Sequence, residues 1–128
     1  MANILYDTNI LLDIILHRPD AEAAYSSLAE SLLKGDTPYI SASSMTDIFY
    51  VVRKAASMGT AAEAVDTILS FVKIADVTAE DIRSASSLDM SDFEDAVIAS
   101  VAARIGADHI VTRNVKDFAA SPVKAVLP

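Results

Sequence analysis

The chain has 128 residues, 52% of them hydrophobic, which suffices for one domain with a buried core and leaves no room for two. It has no cysteine, which excludes disulfide staples, thiolate zinc sites and cysteine nucleophiles and suits a reducing compartment. Its net charge of −8 argues against a broad electrostatic grip on nucleic acid, so an enzyme of this composition acting on RNA must manage charge locally, at its site.

Asn3 to Tyr6 is a short apolar run closed by Asp7-Thr8-Asn9, and it predicts a buried strand that stops at a polar corner. Ile10 to Leu16 predicts a helix that ends before Pro19, and Ala21 to Lys34 a second one stopped by Gly35. Tyr39 to Ser41 predicts a second strand. Ser43 or Ser44 then offers a cap for a helix to about Met58, and Thr60 a cap for another. That helix places Ala64, Val65, Ile68, Leu69 and Val72 on one face. Lys73 to Val77 predicts the third strand, and Thr78 with Asp81 a boxed helix start. Ser91 is expected to open a helix to Ile105, closed at Gly106; Gly59, like the other two glycines, reads as a turn or helix-end signal. His109 to Thr112 predicts the fourth strand and Val123 to Leu127 a fifth. Strands alternating with helices predict a parallel sheet covered on both faces, in one domain spanning 1–128. Residues 1–16 lack a basic leader and carry Asp7 and Asp13, so no signal peptide is expected. No run reaches the roughly 18 apolar residues of a membrane span, and a soluble cytoplasmic protein is expected.

Sheets of this kind bind ligands at the carboxyl ends of their strands. The first strand ends on Asp7, and the fourth leads into Thr112-Arg113-Asn114 with Asp117 beyond. Asp47 falls in the first turn of one expected helix, and Asp92 and Asp95 in the first turn of another. Each has a structural reading beside the functional one. Asp7 could cap the next helix, Asp47 could be the acid of a box with Ser44, and Asp92 could cap or meet the helix dipole. Asp95 is harder to absorb. Ser91 and Glu94 already have capping-box spacing, and Asp95 is followed by Ala96-Val97-Ile98-Ala99, where an acid needs a partner or a cation. Asp13, within the first helix, reads as structural. His17 and His109 lack zinc-site spacing. An oxygen-only donor set favours hard cations, magnesium or manganese, and such ions serve phosphate-ester chemistry while offsetting the repulsion between an acidic protein and an anionic substrate. RNA, DNA and a small phosphate ester are equally compatible with it.

Asp7-Thr8-Asn9-Ile10-Leu11-Leu12-Asp13 behind a short strand resembles the opening motif of PIN domains. Asp92-Phe93-Glu94-Asp95-Ala96 resembles their central motif, and Val111-Thr112-Arg113-Asn114 with Lys116-Asp117-Phe118 their closing one. The three together, in this order, span essentially the whole chain and look like the small prokaryotic members, the VapC-type toxins among them. The resemblance implies a three-layer α/β/α fold with a central parallel sheet of four to five strands. It implies a magnesium- or manganese-dependent endoribonuclease with Asp7, Asp47 and Asp95 as catalytic acids and Asp7, Asp95, Asp92, Asn114 and Asp117 around the metal. It also implies a small antitoxin as partner and possible homodimerisation. Asp47 is one methylene shorter than the glutamate often found at its position. Asn114 stands where many members have an aspartate, a lost charge that Asp92 or Asp117 would offset. The alternatives are a PIN fold kept as a binding module with impaired catalysis, and a phospho-acceptor signalling domain. The latter needs an aspartate at the end of a central strand, and the strand expected at the centre, Lys73 to Val77, is followed by Thr78.

Overall fold

The first three strands are short and each is followed by helices, so their neighbours in the sheet are parallel strands reached through helical crossovers. The computed structural model, which describes residues 1–128, has this form. Its elements are β1 (Asn3–Tyr6), α1 (Thr8–Ile15), α2 (Ala21–Leu33), β2 (Thr37–Ser41), α3 (Ala42–Ala55), α4 (Met58–Phe71), β3 (Lys73–Ala75), α5 (Ala79–Ser87), α6 (Phe93–Arg104), β4 (Ala107–Val111), a 3-10 turn (Val115–Phe118) and β5 (Ala125–Val126). The five strands form one parallel sheet in the order β3-β2-β1-β4-β5. Leu5 of β1 lies between Tyr39 of β2 and Ile110 of β4.

Alternation along β1 sends its side chains to two layers. Leu5 joins Ile110 and the buried run Ala96 to Ala102 of α6, with Ala85 of α5. Ile4 and Tyr6 join Ile10 of α1, Ala24 of α2 and Val111. A third cluster extends the core beyond the sheet: Ile40 of β2 meets Ile48 and Val52 of α3 and the small stripe Ala61, Ala64 and Ile68 of α4. The architecture is therefore α/β/α with helices on both faces of a five-stranded parallel sheet. No helix is long and apolar enough to cross a membrane.

The boundaries differ from the sequence expectation in ways that move the site. The sheet is ordered so that β1, not β3, is central; β3 is an edge strand of three residues. Lys73 to Val77 was expected at the centre, but order is set by crossovers that local pattern does not record. The cap of α3 is Ser41 rather than Ser43 or Ser44, because the helix begins at the end of β2 with no loop between. Asp47 is thus beyond the first turn and boxes nothing. Ser57, not Thr60, caps α4, Gly59 lies inside its first turn, and Leu69 faces solvent. The Thr78–Asp81 box forms as expected. Gly35 and Gly106 adopt positive φ beyond α2 and α6, where a side chain would be strained.

Candidate metal centre

β1 leads away to β2 on one side and β4 to β5 on the other, so their carboxyl ends frame the crevice at which the strand order reverses. Asp7 follows β1 immediately and Thr112 follows β4. Asp7 caps α1, its Oδ1 accepting from the Thr8 backbone N–H at 2.8 Å. Its Oδ2 accepts from the hydroxyl of fully buried Thr112, also at 2.8 Å. That hydroxyl in turn accepts from the Asn114 backbone N–H at 3.1 Å. Capping and site-building, set against each other in the sequence, are performed by one carboxylate. Burial pushes its pKa up, while the Thr112 and Thr8 hydrogen bonds and the charge of Arg113 oppose the rise.

The N-terminus of α6 supplies the facing wall. Asp92, not Ser91, is its N-cap: a carboxylate oxygen accepts from the Asp95 N–H at 3.1 Å. Asp95 therefore sits in the first turn at the third position, and Glu94 is released from the Ser91 box. It turns instead to Asp47 of α3, and the two carboxyls share a hydrogen bond. That bond, then burial, then the charges of Asp47, Asp92 and Asp95 push the Glu94 pKa up to about 7. Burial, reinforced by repulsion from Asp7, Asp92 and Asp117, pushes Asp95 up to about 7 as well.

All six positions singled out in the sequence line one cleft of about 390 Å³: Asp7, Asp47, Asp92, Asp95, Asn114 and Asp117. Glu94 is the acid that sequence reasoning missed, its spacing from Ser91 having supplied a sufficient local explanation. Six carboxyls and no lysine, arginine or histidine line the cleft. Three larger hollows, of 470, 610 and 420 Å³, gather no comparable set of acids. Asp13 lies outside the cleft. It is fully buried and bonded by Arg113, with Nε at 2.7 Å and Nη2 at 3.3 Å, while Arg18 approaches at 3.5 Å.

A set of oxygens without a basic partner suits a hard divalent cation. No three acids already converge around one point at ligating distance. Magnesium does not require it, because it keeps several waters and takes one or two carboxylates directly.

The fold and site together define a parallel α/β protein with an acidic, cation-ready cleft at its topological switch point. Residues 3–116 match the family model described as PIN domain, and the chain belongs to that family. No curated protein matches it in sequence. Among solved structures it is similar to a chain of VapBC2 from Rickettsia felis, bound to a DNA fragment from its promoter, at 27% identity and TM-score 0.79 over 98% of both chains. It shares its fold with the DNA-bound VapBC of Salmonella typhimurium, at 18% identity and TM-score 0.77 over 98% of both chains. It shares it too with the sarcin-ricin loop cleaving toxin VapC20 of Mycobacterium tuberculosis, at 18% identity and TM-score 0.72 over 98% of this chain and 99% of that one.

Proposed function

We propose that this protein is a magnesium- or manganese-dependent endoribonuclease, the toxin of a toxin–antitoxin pair, in which residues 1–128 act as one cytoplasmic domain. The observation that carries the reading is the cleft itself, with six carboxyls and no basic side chain at the switch point of a PIN domain. The likeness to a VapBC2 chain, to a chain of a toxin-antitoxin complex and to a toxin that cleaves the sarcin-ricin loop supports RNA as substrate and an antitoxin as partner. Asp7 and Asp95 would hold the ion directly, with Asp92, Asn114 and Asp117 completing its surroundings and Asp47 acting through its pair with Glu94. A bound divalent ion supplies charge neutralisation at the scissile phosphate and acidifies an attacking water. The chain's part is to fix Asp7 from two sides, to hold protons on Asp95 and Glu94 until the cation arrives, and to exclude competing bases. Purified protein should cut a generic single-stranded RNA with magnesium or manganese, and a chelator should stop it; cleavage that persists in chelator would overturn the assignment.

The phospho-acceptor reading needs an aspartate at the end of the central strand; Lys73 to Val77, expected there, is followed by Thr78, whereas β1, the true central strand, is followed by Asp7. It fails for another reason: no lysine, arginine or histidine lines the cleft to meet the charge of an added phosphoryl group.

Metal binding should be strongly pH-linked. Asp95 and Glu94 are raised from 3.8 and 4.5 to about 7 in the folded chain. Between those values the native state holds protons the unfolded chain has lost, so the metal-free protein loses stability as pH rises from about 4 through about 7. A cation must displace those protons, so manganese affinity should climb through the same window and binding should release protons. Titration calorimetry on both sides of pH 7 checks this, and equal affinity on both sides would overturn it.

Asn114→Asp should tighten manganese by ~1 kcal/mol, about fivefold, by adding a charge at the carboxyl edge of β4. It should also lower the melting temperature of the metal-free protein through added repulsion. The Asn114 side chain caps nothing on the following 3-10 turn, so the substitution removes no structural bond. Unchanged affinity would place residue 114 outside the ion's surroundings and leave Asp117 as the contribution of the closing segment.

A further inference from the structure

An acidic protein cannot hold an anionic strand by charge alone, so a substrate bound at this cleft needs an uncharged source of affinity beside the ion. Helix α3 carries one. Asp47, Tyr50, Val51 and Lys54 follow one another at i, i+3, i+4 and i+7, which puts them on a single stripe about 10 Å long. Asp47, Tyr50 and Val51 line the acidic cleft. The Tyr50 side chain is nevertheless 58% exposed, an aromatic left in water at the rim of a charged site. The Lys54 ammonium lies over its ring, 5.1 Å from the centroid. Across the cleft Phe93 is 53% exposed between Asp92 and Glu94, which both line it.

We propose that Tyr50 is the stacking platform for a nucleobase next to the phosphate bound at the acidic cleft, with Lys54 meeting the following phosphate. The inference rests on the ribonuclease reading above and adds the residue that holds an unpaired base beside the cut. Acid, aromatic and cation succeed one another along α3 as metal-bridged phosphate, base and phosphate do along a strand. Stacking takes any base, since each has a π-face, and it requires that the base be splayed out of a duplex. An exposed tyrosine ring at the rim of the cleft suits this, and its affinity does not depend on the protein's net charge.

The test uses a phosphorothioate-linked single-stranded oligoribonucleotide with 2-aminopurine at one position at a time, mixed with the protein in magnesium. Binding to the wild type should quench one position strongly. Tyr50→Ala should abolish that quenching and weaken binding about tenfold, while Tyr50→Phe, which keeps the ring, should retain both. Because Tyr50 is exposed, melting curves of the three proteins should coincide. Equal quenching and affinity in Tyr50→Ala would overturn the platform, as would no binding by the wild type. If Tyr50→Ala instead reduced self-association in sedimentation without altering quenching, the stripe would be a protein interface and the platform would again be overturned. The ribonuclease reading is scored separately, by cleavage of the unmodified oligonucleotide. Cleavage with binding that ignores Tyr50 would sink the platform alone, and quenched binding without cleavage would sink the activity alone.

Discussion

Asp95→Asn should reduce metal-dependent RNA cleavage by on the order of a hundredfold to a thousandfold, the rate equivalent of losing several kcal/mol of charge stabilisation at the phosphate. The same substitution should leave the metal-free protein as stable as the wild type or more stable above pH 7. The two effects have one cause. Asp95 sits half-buried in the first turn of α6, facing Asp7, Asp92 and Asp117 with no basic side chain in the cleft. Its ionised form is disfavoured in the folded chain, which is why its pKa rises, and an amide removes that burden. The burden is what a cation would exploit, so the variant should also gain less from manganese in a thermal melt. Asp7→Asn should abolish activity to a similar extent but is a less clean probe. Both Asp7 oxygens accept hydrogen bonds, from Thr8 N–H and the Thr112 hydroxyl, and an asparagine turns one acceptor into a donor. A loss of melting temperature is therefore expected for Asp7→Asn alone. Wild-type cleavage rates in Asp95→Asn would overturn its place at the ion.

The contrast between these residues also shows what a chain of this kind reveals before it is folded. Asp7 was legible because it follows an apolar run directly, and Asn114 because it stands three residues past the end of another; a strand that ends at a polar corner delivers these residues to the sheet edge by covalent connection alone. Asp95 was legible because the acid stands beside an apolar run with no local use. Glu94 was not, because Ser91 and Asp92 compete for one cap. When Asp92 takes it, the helix starts one residue later and Glu94 is freed to meet Asp47, a contact across 47 residues of sequence that no local spacing encodes. Ser41, read as the end of the second strand, was missed as a cap in the same way, since Ser43 and Ser44 are competent caps too and only the abrupt junction of β2 with α3 selects Ser41. Strand order was the least legible feature. Lys73 to Val77 was expected at the centre, yet the exposed residues and three-residue span of β3 mark an edge. Tyr50 carried no local signal at all; an exposed tyrosine on a helix is unremarkable until Asp47 on the same stripe is known to face a cleft.

Removing the Arg113 guanidinium should be the most destabilising single change near the site, about 3 kcal/mol and a melting temperature lower by roughly 10 °C. Asp13 has no exposed surface, and Arg113 supplies two of its three side-chain hydrogen bonds, at 2.7 and 3.3 Å. Arg18 supplies the third at 3.5 Å, too long to carry the charge by itself, and it is shared with Asn9. Arg113→Met keeps the apolar stem and deletes the charge, which leaves a buried carboxylate without its main partner; the cost of such orphaning exceeds whatever the pair contributes net. Arg113→Lys should recover only part of the loss, because an ammonium cannot bond both oxygens in one plane. Arg113 lies between Thr112, which holds Asp7, and Asn114, so its ion pair fastens the loop after β4 to α1. Arg113→Met should therefore lose cleavage even at temperatures where it is fully folded. Replacing both partners, Asp13→Leu with Arg113→Met, separates the two roles: stability should return toward the wild type because no buried charge is stranded, while activity should stay low because the loop is no longer tied. Chemical denaturation and cleavage assays on the three variants decide it. A loss below about 1 kcal/mol in Arg113→Met would make the contact an ordinary surface pair, and full recovery of activity in the double variant would remove Arg113 from any part in positioning the site.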